Sequence, residues 1–205
     1  MEVLLKGIAI GFAVAAPVGP IGVLCIKRTL ENGRSAGLAS GFGAASADAV
    51  YGVMVAAGLA MTGLLVLYAE PMQLGGGALI ALLGILSLRK FFTQDHAPEA
   101  PAVANGGTVT RSFFTTFILT LSNPMTILAF LGMIAGLGGA AAQNQHAPYL
   151  LVVGVFLGSA LWWLMLVHGA LFARARLSGR AMRNIDLISG LVLLIWGIWI
   201  AWGAL

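Results

Sequence analysis

Asp48 lies in "GFGAASADAVYG", 41–52, inside the long apolar segment 37–62. A carboxyl group can hold a cation or exchange a proton. At bilayer depth it is costly, and it marks a substrate, ion or proton path. The plainer reading is a protonated acid hydrogen-bonded to a neighbouring helix. Two other stretches interrupt the backbone. "APVGP", 16–20, sets Pro17, Gly19 and Pro20 in an apolar run, and "LSNPMT", 121–126, does the same with Asn123 and Pro124. Proline gives no N–H to the helical ladder and leaves carbonyls of the preceding turn free. The Asn123 amide adds two donors and an acceptor, although a proline kink with a capping asparagine would look the same. Tyr51, three residues after Asp48, shares its helix face and can hydrogen-bond there.

The elements that must carry these residues follow from composition. The chain of 205 residues is 60% hydrophobic and 9% charged, where a soluble domain carries about 25% charged residues. The expected class is an all-α polytopic membrane protein. Six segments reach the length of an apolar span: 7–26, 37–62, 72–88, 112–138, 148–172 and 187–204. Asp48 is the one ionisable group expected well inside them. Ten of the eleven Lys and Arg residues fall in alternate links, after the first, third and fifth segments, with Lys6 the exception. Positive links stay on the cytoplasmic side. Both termini are therefore expected outside, and the net charge of +4 calls for no nucleic-acid partner. "AVA", 13–15, looks like a cleavage tripeptide. The charge follows the apolar run instead of preceding it, so cleavage is not expected.

Depth can be counted along the helices. Pro17 lies ten residues before Lys27, Asp48 fourteen after Arg34 and Asn123 twelve after Arg111. These separations are about 15, 21 and 18 Å of helix, near the middle of a core about 30 Å thick. Irregular backbone at that depth needs protein around it or a cavity beside it.

The Pro- and polar-rich segment 93–110 reads as a flexible cytoplasmic linker between halves 1–92 and 111–205. A shift of 113 residues lays "GFGAAS", 41–46, on "GVFLGS", 154–159, Gly77 on Gly190 and Gly84 on Gly197. Three helices per half would make the second half an inverted repeat, an architecture of secondary transporters with the site at the repeat interface.

Weaker signals have plainer readings beside functional ones. Small residues at 37, 41, 45 and 49 form a close-packing stripe. Trp162 and Trp163 pack or offer a cation–π platform. His168 makes a structural hydrogen bond or relays protons. Trp196, Trp199 and Trp202 form a lipid-facing stripe. Cys25, the lone cysteine, excludes an intramolecular thiol pair and reads as a small buried apolar residue. No metal site or cofactor is expected, because the three histidines are scattered.

"PVGPIGVLCIKRTLENGRSAGLASGFGAASADAVYG", 17–52, resembles the N-terminal signature of the lysine exporter (LysE/RhtB-type) family. "SNPMTILAF", 122–130, resembles its second signature. The resemblance covers nearly the whole chain. It implies a six-helix exporter of amino acids or related metabolites in the bacterial cytoplasmic membrane. It also implies coupling to protons and carries a homodimer as a further expected partner. Carried over by position, the site residues are Pro17, Gly19, Pro20, Asp48, Asn123 and Pro124, with Tyr51 beside them. Many members have Lys after the N-P pair where this chain has Met125, so the substrate stays open. The alternative is a divalent-cation exporter of the same superfamily. Such ions want several oxygen, nitrogen or sulfur ligands, and only Asp48 is available.

Overall fold

The structure, a computed structural model, describes residues 1–17, 19–56, 69–93, 106–123, 126–127, 130, 147–174 and 176–204. Six helices run through them: α1 (Glu2–Ala15), α2 (Pro20–Ala56), α3 (Ala69–Thr93), α4 (Gly106–Leu121), α5 (Ala147–Arg174) and α6 (Gly179–Trp202). Among the described residues three helices are long and apolar enough to cross a membrane: Glu70–Thr93, Tyr149–Arg174 and Arg180–Trp202. A fourth span results if α1 and Pro20–Met54 of α2, bent by 83° at the "APVGP" break, count as one. Parts of the expected segments, including 57–62 and 131–138, lie outside the described residues, as do 94–105 of the expected linker. Of that linker's ends, Thr93 closes α3 and 106–110 open α4.

One expectation is corrected. The first basic link was expected as a loop, yet 20–56 is helical throughout except at Gly33. Gly33 adopts φ 83° and ψ −175°, a conformation that only glycine takes without strain. A single residue therefore makes the turn, and Lys27 and Arg28 sit on a half-helix, 20–32, instead of in solvent.

Many large apolar side chains lie exposed on the outer helix faces, while the interior mixes large apolar residues such as Tyr51, Phe130, Ile80 and Leu193 with small and polar ones. Leu157, Leu161 and Met165 follow one another at helical spacing on the exposed face of α5. Leu191, Ile195, Ile198, Trp199 and Trp202 do so on α6; of the expected tryptophan stripe Trp199 and Trp202 are exposed, while Trp196 is half-buried and packs against the core. Ser40, Ser87, Thr116, Ser159, Asp48 and Asp186 are buried. With lipid outside, apolar surface has little reason to turn inward, and close backbone approach holds the helices together instead.

Glycines provide that approach. α1 packs on α5, where a Cβ on Gly7 would lie 2.6 Å from the Leu151 carbonyl oxygen and 2.9 Å from Gly154 Cα. α3 packs on α6, where a Cβ on Gly77 would meet the Gly197 oxygen at 2.8 Å and one on Gly84 the Gly190 oxygen at 2.9 Å. α2 packs on both α5 and α4: Gly41 touches Trp163, and Gly43 faces the Phe113 carbonyl. The small-residue stripe of α2 is thus a packing face at these points.

Gly197→Val should force α3 and α6 apart, because its Cβ would lie 2.4 Å from the Ala81 nitrogen. Overpacking of this kind costs about 1–3 kcal/mol, read as a lower unfolding temperature in detergent. Gly75→Ala, with open space at that position, should leave the temperature unchanged or raise it slightly.

Candidate functional site

Both helix interruptions are built by local chemistry. Pro17 has no N–H for the α1 ladder, and α1 closes with the Ala16 amide on the Phe12 carbonyl at 2.9 Å. Pro20 then starts α2, where a missing N–H and a fixed φ suit the first turn. The Gly19 carbonyl accepts from the Val23 amide at 3.1 Å. In the second interruption the Asn123 carbonyl accepts from the amides of Thr126 and Ile127, both at 3.1 Å. The Asn123 side-chain amide donates to the Thr126 hydroxyl at 3.0 Å. The Asn123 carbonyl thus takes amides three and four residues on, as the Gly19 carbonyl takes one four residues on. Pro124 lies outside the described residues.

The two interruptions meet. Pro17, Gly19, Pro20, Asp48 and Asn123 line one cavity of about 50 Å³, together with Thr120, Thr126 and Trp163. Asp48 is buried, and the Ser159 hydroxyl of α5 donates to its Oδ2 at 2.6 Å. Two of the lining residues carry buried polar atoms with no hydrogen-bond partner among the described residues: Thr120 Oγ1 and Trp163 Nε1. Orphaned polar atoms of this kind are rare in folded proteins, and each calls for an explanation.

Tyr51 is placed differently from the other expected site residues. It is fully buried, stacks on Phe130 at 5.2 Å between ring centroids, and donates its hydroxyl proton to the Leu121 carbonyl. It satisfies a carbonyl at the end of α4 and is not among the residues lining the cavity. Ser159 and Thr120 were not singled out from the sequence. Ser159 was visible only as the residue aligned with Ser46 by the 113-residue shift. Trp163 lines the cavity, while Trp162 packs edge-on against Phe12 at 5.3 Å. His168 Nδ1 bonds its own helix at Leu164 O, 2.7 Å away, and Cys25 Sγ lies 3.6 Å from the Gly37 carbonyl. Both match their plain readings. Among the described residues no three His, Cys, Asp or Glu side chains gather to hold a metal.

A second polar cluster corrects the expectation that Asp48 is the one charge inside the bundle. Lys27 and Asp186 are both buried and form an ion pair, and Lys27 also donates to the Ser87 hydroxyl. Glu31 lies 3.4 Å from Lys27 and 3.0 Å from Lys90. Arg28 donates through Nη1 to Ser40 Oγ, the Ser112 carbonyl and Thr116 Oγ1 at 2.9–3.1 Å. The half-helix 20–32 is thus tied to α3, α4, α6 and the rest of α2. The i,i+4 spacing of Lys27 and Glu31 was the one sequence signal of this cluster.

A model of the LysE type translocator family matches residues 12–203. The protein named "Putative amino acid efflux protein YcgF" from Bacillus subtilis (strain 168) is 26% identical over 202 residues. That alignment spans 97% of this chain and 95% of the relative. No solved structure matches the chain.

Removing one partner of a buried ion pair strands the other charge, at a cost of about 3–5 kcal/mol. Lys27→Met should therefore lower the unfolding temperature in detergent sharply. Adding Asp186→Leu to Lys27→Met should recover at least half of the loss.

Proposed function

The chain belongs to the LysE type translocator family, and on that premise we propose that it exports amino acids or related small metabolites by exchange for protons. It is a multi-pass membrane transporter and not an enzyme. The observation that carries the reading is the convergence on one cavity of Asp48, residues of both helix interruptions and two residues with orphaned polar atoms. An α-amino acid presents an ammonium and a carboxylate a few ångströms apart. Asp48 is the group for the ammonium. The start of α2 at Pro20 carries positive partial charge, which favours the carboxylate. The Trp163 indole N–H and the Thr120 hydroxyl add donors for it. The relative's name, an amino acid efflux protein, agrees with this assignment.

Exchange needs only competition at Asp48. The ionised carboxylate holds the ammonium; the protonated form releases it. With more protons outside, release is favoured there. A cavity of about 50 Å³ holds a water or two at about 30 Å³ each, less than an amino acid needs. Substrate access therefore requires a helix to move, and the half-helix 20–32 is the element that borders the cavity at its start.

The alternating basic links support an orientation with both termini outside, in the bacterial cytoplasmic membrane. Two inverted repeats, 1–92 and 111–205 around a linker at 93–110, are supported by the glycine pairs of α3 and α6. Gly77 faces Gly197 and Gly84 faces Gly190. A shift of 113 residues carries each pair into the other, as a two-fold axis between repeats would. A homodimer is part of the proposal and is read by cross-linking in membranes. A cation exporter is less favoured, because Asp48 is surrounded by hydroxyl, amide and indole groups where a divalent ion wants several carboxylates.

Asp48→Asn should reduce amino-acid efflux driven by a pH gradient in proteoliposomes to the level of empty liposomes, with insertion unchanged. Wild-type efflux from Asp48→Asn would refute the mechanism. Ser159→Ala, which removes a charge-assisted hydrogen bond, should slow efflux about three- to tenfold.

A further inference from the structure

A second pocket opens one step along the same half-helix. Pro20, Ile21 and Gly22 border the small cavity, and Leu24, Lys27, Arg28 and Glu31 border the next space, of about 350 Å³. From residue 22 to residue 24 the helix rises about 3 Å, so the two linings adjoin along the half-helix. The larger pocket has room for a whole amino acid. Its walls also carry Lys90 and Arg111, giving four cations against the one carboxylate of Glu31.

The cations are not equivalent. Lys27 is paired with Asp186 and Glu31, and Lys90 with Glu31. The Nη1 contacts of Arg28 are all to neutral oxygens, on Ser40, Ser112 and Thr116. Arg111 has no ion pair among the described residues and lies within electrostatic reach of Arg28. Two guanidinium charges thus face one pocket without an acidic partner within ion-pair distance. A planar guanidinium suits a carboxylate geometrically, and a second one doubles the field.

We propose that this pocket is the entry vestibule of the transporter, that Arg28 and Arg111 bind the carboxylate of the incoming amino acid there, and that the exported substrates are therefore neutral or acidic amino acids and not basic ones. The proposal rests on the exporter reading above. In the proposed orientation the pocket opens on the cytoplasmic side, where substrate is collected. A cationic side chain would meet two guanidinium charges, offset at a distance only by Glu31, before reaching Asp48, whereas a second carboxylate would be drawn in. Arg28 and Arg111 act at entry, before the substrate reaches Asp48.

The pocket's field can be read without transport. Asn32 lines it, and the native Cys25 is fully buried. In Asn32→Cys, an anionic sulfonatoethyl thiosulfonate should react about tenfold or more faster than a cationic trimethylammonioethyl one at low salt, each relative to its rate on free cysteine. High salt should shrink the ratio, and adding Arg111→Glu should abolish it. An equal or cation-favouring ratio overturns the vestibule. Zwitterionic bicelles are used first; loss of the anion preference on adding anionic lipid would make this a headgroup site and overturn the substrate assignment. In proteoliposomes loaded with equal glutamate, leucine and lysine, wild-type efflux of glutamate or leucine should exceed lysine about tenfold. Arg111→Glu should raise the lysine-to-glutamate ratio, and Arg111→Lys should preserve it. Lysine efflux equal to leucine efflux overturns the selectivity. Efflux of none of the three, with the labelling preference intact, refutes the exporter reading and leaves the anion pocket standing.

Discussion

A backbone that breaks at bilayer depth must find partners for the amides and carbonyls it frees, since lipid offers none. Most of the arrangement follows from meeting that demand twice. At the first break Gly19 and Pro20 restart a helix with a residue that has no N–H to strand. At the second, the Asn123 carbonyl takes the amides of Thr126 and Ile127 and its side-chain amide donates to the Thr126 hydroxyl, while Tyr51 crosses from α2 to donate to the Leu121 carbonyl. Bringing two such breaks together gives them shared polar surroundings. That leaves a space lined by Asp48, Thr120 and Trp163 in an otherwise apolar bundle.

Holding the breaks together needs helices that approach closely without a hydrophobic drive between them. The glycines of α1, α3, α5 and α6 supply this, and many bulky side chains are left on the outer faces of the helices. Position 33 shows the same economy on a smaller scale. One glycine at φ 83° turns α2 and so keeps 20–32 as a rigid rod instead of a loop. A rod can carry charge at one end and border the small cavity at the other. Lys27, Arg28 and Glu31 occupy the charged end, and the contacts of Lys27 with Asp186 and Ser87 pin it to α3 and α6.

The membrane class and the two interruptions were legible in the sequence, because they depend on composition and on local backbone chemistry. Sixty per cent hydrophobic residues permit no soluble core of this size, and a proline breaks a ladder wherever it stands. Counting residues from the basic ends placed Pro17, Asp48 and Asn123 at similar depth. Depth along separate helices says nothing about rotation, however, and rotation decides which side chains meet. Asp48 and Tyr51 share a helix face by spacing, yet one lines the cavity and the other seals a carbonyl.

What lay beyond the sequence was pairing between distant segments. Asp186 stood just outside its expected span and Lys27 in an expected loop, so neither looked buried. Their partnership exists only because 20–32 folds back against α3 and α6. Ser159 is 111 residues from Asp48, and nothing local marks a serine as the donor to a particular carboxylate. The sequence by itself determined where the chain is apolar, where its ladder breaks and where its charge collects, since each depends on residues within a turn or two. Only the tertiary structure decided which of those features face one another, because helix rotation and approach are fixed by the sum of many weak contacts across the bundle.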